Sequence, residues 1–200
     1  MTRTAIRIAA AAFGTLLFTG VASVAAAETE HDTGDVDVTV VVPQIGTPGV
    51  LVMSVSAATT SLTESGSNNM ARQFTGKLPT VTVTDTRDSA EIPSGAFWYV
   101  LGSVTDFTSG TDTIGAENLG WAPKLINGGE SGNVAEGDVV APQLDGGDGL
   151  VDQELLAMAN DSGEIASEGS WTATADLTLK TPVNAKAGTY GATLTLSLFE

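Results

Sequence analysis

"SWTATADLTLK" (residues 170–180) places Trp171, Ala173, Ala175, Leu177 and Leu179 at every second position. Successive side chains of an extended chain point to opposite faces, so this run reads as a strand with one face in a core and one in water. The same period recurs along the sequence. "TYGATLTLSLF" (189–199) repeats it with Tyr190, Ala192, Leu194, Leu196 and Leu198, and "TVTVTDT" (80–86) sets Val81 and Val83 against threonines. "VDVTVVV" (36–42) puts Val36, Val38, Val40 and Val42 on one face, and "VLVMSVSA" (50–57) starts apolar on both faces and then alternates. Valine and threonine are the residues that suit a pleated, half-buried surface.

Turn-forming residues separate these runs: Pro43, Thr47-Pro48-Gly49, Glu64-Ser65-Gly66-Ser67-Asn68-Asn69, Gly128-Gly129 and Asp145-Gly146-Gly147-Asp148-Gly149. In "LVDQELLAMA" (150–159), Val151, Leu155 and Met158 are spaced by four and three, which predicts a short helix docked on the sheet. No period of 20–50 residues recurs. The fold class predicted is all-β, an antiparallel β-sandwich of the Ig-like or Greek-key type with at most one short helix.

The first residues predict export. Arg3 and Arg7 precede an apolar, alanine-rich run from Ile8 to Phe18, and the segment closes on Val24-Ala25-Ala26-Ala27. A charged start, a short apolar stretch and small residues at a cleavage point describe a secretory signal peptide over 1–27, too short in its apolar part for a membrane span. Residues 28–35, "ETEHDTGD", read as a flexible acidic leader, and 36–200 as one β-sandwich domain. The cleaved chain of 173 residues would hold six cations against 24 acids, a formal net charge of −18. Such a charge repels nucleic acid and anionic lipid. The sequence has no cysteine, so neither disulfides nor a lipid-modified cysteine is expected. The sequence up to Leu198-Phe199-Glu200 shows no apolar twenty-residue span, basic stop-transfer tail or sorting pentapeptide, and the protein is expected to be secreted to the cell surface without a covalent or membrane anchor.

Catalytic residue types are scarce. The single histidine, His31, falls in the acidic leader, so a histidine-based triad or a histidine-rich metal site has no material. "DGGDG" (145–149) lacks the Lys-Ser/Thr of a phosphate-binding loop. No pair of carboxylates stands out as glycosidase-like, and no enzymatic activity is expected. Asp145, Asp148 and Asp152, with Glu154 beside them, could offer oxygen ligands to calcium, although their spacing is not that of an EF-hand; the competing reading is a solvated acidic loop. No other cofactor is expected.

The aromatics concentrate in "SGAFWYVLGSVTDFTSG" (94–110). Trp98 alternates with Val100, Gly102 and Val104, which predicts a place in the core, while Phe97 and Tyr99 point the other way and are candidate surface aromatics. Trp171 belongs with the apolar face of its strand. Trp121, in the loop-like "NLGWAPKL" ahead of Pro123, is a third candidate for the surface.

The ordered succession "LPTVTVTDTR" (78–87), "FWYVLGSVTDFTSG" (97–110), "IGAENLGWAPKL" (114–125) and "GTYGATLTLSLFE" (188–200) resembles the WxL-domain surface proteins of Gram-positive bacteria, and in particular their actinobacterial relatives. The resemblance spans about residues 38–200. Its motif positions here are Trp98, Tyr99 and Val100 in the first strand and Leu196 and Leu198 in the last. Valine stands where the first motif usually has leucine, and leucine replaces the tryptophan of the second. The resemblance implies a non-enzymatic cell-surface protein that associates non-covalently with the cell wall through peptidoglycan or another wall glycan. The alternative is an adhesive or structural module that binds another surface protein, or itself, through exposed sheet edges.

Overall fold

A computed structural model describes residues 47–200. The expected signal peptide, the leader with His31 and the strand at 36–42 lie outside the described residues. Twelve strands follow in order: β1 (Leu51–Val55), β2 (Thr63–Glu64), β3 (Ala71–Lys77), β4 (Val81–Asp85), β5 (Tyr99–Val104), β6 (Phe107–Ser109), β7 (Asp112–Ile114), β8 (Leu119–Asn127), β9 (Val134–Glu136), β10 (Glu154–Ala159), β11 (Ser170–Pro182) and β12 (Leu194–Phe199). The one α-helix among the described residues is a single turn, α1 (Ser162–Ile165), capped by the Asp161 side chain, which accepts from the amides of Gly163 and Glu164. The fold is all-β, and every strand pair is antiparallel.

The alternating run that opens the sequence argument is the spine of the first sheet. β11 is 13 residues long and pairs on one side with β4 (Trp171 opposite Val83) and then β3 (Leu179 opposite Phe74). On its other side it pairs with β8, Leu177 opposite Trp121. β3 and β4 follow one another along the same edge; Leu78, between them, keeps the ladder by donating its amide to the Ala175 carbonyl. β1 extends this sheet beyond β4, and β2 beyond β3. Trp171, Ala173, Ala175, Leu177 and Leu179 are all buried, as the alternation requires.

The second sheet runs β12-β5-β10-β9, and β6 and β7 form a separate hairpin turned at Gly110, whose φ of 62° suits glycine. The two sheets meet through large side chains. The Trp98 and Trp171 rings lie 5.4 Å apart at 42°. Trp121, from the first sheet, packs on Gly102 of the second; a Cβ there would sit 2.7 Å from the indole ring, so the contact needs glycine.

Three stretches differ from the sequence expectation. Residues 150–159 hold no helix; β10 occupies most of them. Leu155 pairs with Leu101 and Ala157 with Val100, which leaves Leu156 as an extra residue in a bulge. The insertion places Leu155 and Met158, three apart, opposite Leu101 and Tyr99 on one face and so imitates helical spacing. Trp121 is not a surface aromatic: it is 2 % exposed and stands in β8, not in a loop. Pro123 is tolerated there because its ring nitrogen faces away from β11. Its odd-numbered neighbours show this: Trp121 bonds Val140, and the Leu125 amide donates to the Glu136 carboxylate. Finally, the alternation at 189–199 yields a strand only from Leu194 onward; Tyr190 and Ala192 precede it.

Candidate functional site

The two motif segments, nearly a hundred residues apart in sequence, are adjacent strands. β12 pairs with β5 so that Leu196 lies opposite Gly102, Leu198 opposite Val100 and Phe199 opposite Tyr99. On the inner face Trp98 is 1 % exposed and Val100 is equally buried, with Leu196 and Leu198 half-buried and packed against the core. The motif tryptophan is therefore a core residue, and Leu196 and Leu198 supply apolar packing beside it.

The outer face of the same strands carries three aromatics, Phe97 and Phe199 exposed and Tyr99 half-buried. Tyr99 and Phe199 stack with ring centroids 5.3 Å apart and planes inclined by 18°, and Phe97 lies 5.9 Å from Tyr99 at 30°. Phe97 is 44 % and Phe199 38 % exposed. Their spacing follows from the pleat: Phe97 and Tyr99 are two apart, and Phe199 is the cross-strand partner of Tyr99. Leu101, Leu155 and Met158 continue this face, and Ser103, Thr195 and Ser197 add hydroxyl-bearing positions to it. Phe97 and Tyr99 both lie on this outer face, the first exposed and the second half-buried. Phe199 was not legible as their partner, because its position depends on a pairing between distant strands.

One end of this face is anchored by charge. The Arg87 guanidinium donates to both carboxylate oxygens of Asp85, at 2.9 and 2.7 Å, and to both of Glu200, at 2.7 and 2.6 Å. Asp85 is buried at the end of β4, so Arg87 clasps the first sheet to the residue that follows Phe199. The hydrogen bonds donated by Arg87 hold the Glu200 carboxyl below its ordinary value, and those it donates to Asp85 first and Glu200 second push the guanidinium further up. Residues 83–87, "VTDTR", carry both Asp85 and Arg87 of this clasp.

The calcium candidates do not converge. Asp145 closes a short 3-10 turn and accepts from the Lys180 ammonium at 2.6 Å. Among the described residues no cluster of three or more acidic or histidine side chains is placed to hold a metal ion, so Asp145, Asp148 and Asp152 are not assembled into a site. Elsewhere Asp176 takes both Lys124 and Lys77, which hold its carboxyl below the usual range.

A groove of about 910 Å³ opens between β1 of the first sheet and β12 of the second. Leu177 and Leu179 form its floor and Met53, Phe74, Leu194 and Leu196 its walls. No protein-family model and no curated protein matches this chain.

Proposed function

We propose that this is an exported, non-enzymatic cell-surface protein that associates non-covalently with cell-wall glycan, peptidoglycan first, through the Phe97–Tyr99–Phe199 face. The observation that carries the reading is the row Phe97–Tyr99–Phe199, with Phe97 and Phe199 exposed, on a strongly acidic protein. Aromatic rings turn an electron-rich face outward and favour the weakly positive C–H groups of a sugar ring, whereas an isolated exposed phenylalanine would need no explanation. The hydroxyl-bearing positions Ser103, Thr195 and Ser197 supply hydrogen-bonding partners for sugar hydroxyls along the same face. The expected signal peptide over 1–27 supports export, and the scarcity of catalytic residue types supports a binding role.

The test is co-sedimentation of the cleaved chain with purified peptidoglycan sacculi. Binding that falls at least about tenfold in Tyr99→Ala and in Phe199→Ala, with melting temperatures close to the parent, fits the proposal. Parental binding by both variants, or full recovery of the parent in the supernatant, defeats it.

Among the described residues β1 and β12 stand at sheet edges, which favours a second reading, an adhesive module that binds another surface protein or assembles with itself by strand addition. Concentration-dependent assembly in size-exclusion chromatography, without sedimentation on sacculi, would decide for it.

A further inference from the structure

Taking the Phe97–Tyr99–Phe199 face as the glycan-binding surface, on which this inference rests, we propose that its ligand is a run of uncharged, N-acetylated sugar units. Phosphate, carboxylate and free amine are the groups this face excludes.

The two sheets turn different outer faces to water. On the first, Asp176 of β11 accepts from Lys77 of β3 at 2.6 Å and from Lys124 of β8 at 2.5 Å. Lys180, on the same face of β11, reaches Asp145 at 2.6 Å. On the second sheet the positions around the aromatic row are uncharged. Leu101, Leu155 and Met158 adjoin the rings, and Ser103, Thr195 and Ser197 extend the face along β5 and β12. Ala135 of β9, opposite Met158, completes it. A sequence with 24 acids thus leaves the outer face of these four strands without a charge.

The acids of the second sheet are turned away from this face. Glu136 pairs with Ala157 and accepts from the Leu125 amide of the first sheet, so it belongs to the inner side. Glu154 pairs with Gly102, the residue that admits Trp121, and shares that side. Glu200, after Phe199, is drawn to Arg87. The Arg87 guanidinium is 12 % exposed, and each of its nitrogens already donates to Asp85 or Glu200, so it offers little to an incoming anion.

The chemistry of the ligand follows from this. A phosphate or carboxylate laid on the face would lose water and gain no charged partner, against the field of a chain with a formal net charge of −16. An ammonium group would find no carboxylate on the face; acids elsewhere attract it only loosely and through salt-screened forces. Acetylation turns that ammonium into a neutral amide with a donor, an acceptor and a methyl group. The methyl and ring C–H groups suit the aromatic faces, and the amide and hydroxyls suit Ser103, Thr195 and Ser197.

Titration of the cleaved chain with three soluble probes tests this: an N-acetylglucosamine oligomer, the matching glucosamine oligomer and a glycerol-phosphate polymer. Sedimentation on sacculi is measured alongside. The neutral oligomer should bind and shift the Tyr99 and Phe199 amide resonances. Its Kd should change less than about twofold between about 0.1 and about 1 M salt, where the screening length falls from about 10 to about 3 Å. Phe199→Ala and Tyr99→Ala should each weaken it at least about tenfold. At the higher salt both charged probes should bind at least about tenfold more weakly than the neutral one, and any binding of the glucosamine oligomer at low salt should be indifferent to Phe199→Ala. A charged probe that binds as tightly as the neutral one at high salt, with the same dependence on Phe199, overturns the inference. So does a parent that sediments on sacculi through Phe199 yet ignores the neutral oligomer, a result that leaves the glycan-binding reading standing. Binding of the neutral oligomer without sedimentation would instead uphold the ligand class and remove the wall as its source.

Discussion

Trp98 and Tyr99 are neighbours in sequence with opposite fates. Trp98 meets Trp171 across the sandwich and is sealed from water; Tyr99 is half-buried on the outer face, stacked on the exposed Phe199. The two faces of one strand pair, β5 with β12, thus hold two aromatic groups of different kinds. The inner group joins the sheets, and its partners are fixed by shape, down to the glycine at 102 that admits Trp121. The outer group follows the pleat and the cross-strand pairing, with Phe97 and Phe199 exposed and Tyr99 half-buried beside both. A tryptophan that marks a motif is here a packing residue, and the surface chemistry belongs to the residues that flank it.

The largest effect that can break this comparison is loss of the inner ring. Trp98→Ala should cost about 3–5 kcal/mol, the price of an aromatic-sized cavity in a close-packed core. Chemical denaturation measures it; a loss below about 1 kcal/mol would place Trp98 outside the core. Next comes the clasp. Arg87→Ala leaves Asp85 buried without its partner and should destabilise by about 3 kcal/mol, whereas Asp85→Asn/Arg87→Ala should recover part of that loss by removing the stranded charge. A double variant less stable than Arg87→Ala contradicts this.

Smaller still is the acid dependence. Glu200 and Asp176 are held below their ordinary values of 4.5 and 3.8 by Arg87 and by Lys124 with Lys77. A carboxylate whose value is depressed by folding adds stability that is fully present above the ordinary value and is lost as pH falls below it. The melting temperature should therefore drop as pH is lowered from 5 to 3, and Glu200→Gln should flatten part of that slope; Asp176 is solvent-accessible, and its share is small. A variant whose slope equals the parent's would remove Glu200 from the account. The smallest stability effect is expected on the outer face, where Tyr99→Ala should change the unfolding free energy by no more than about 1 kcal/mol while wall binding is lost.

Much of this arrangement was legible in the sequence, and the exceptions have physical causes. Strict alternation located β11 and β4, because one face of each is buried and the other is not, and the end of β12, whose inward leucines are half-buried. The burial of Trp98 and Trp171 followed from the same period. β10 was misread because a bulge at Leu156 shifts the period by one residue and leaves Leu155 and Met158 on one face. Trp121 was misplaced because Pro123 suggests a loop, and only the pairing of β8 with β11 shows that this proline faces away from its partner strand. β3, "ARQFTGK", is half-buried on both faces and so carries no alternation to detect. The outer aromatic row needed the register of two strands almost a hundred residues apart, which no local pattern encodes.

The most direct test of the central claim measures melting temperature and sacculus binding together for Trp98→Phe and Tyr99→Ala. The account predicts a crossing. Trp98→Phe should melt several degrees lower, at roughly 2–4 °C per kcal/mol lost, yet bind sacculi normally while folded. Tyr99→Ala should melt close to the parent and bind at least about tenfold less. Normal stability with lost binding in Trp98→Phe, or full binding in Tyr99→Ala, would contradict the division of the strand into a packing face and a recognition face.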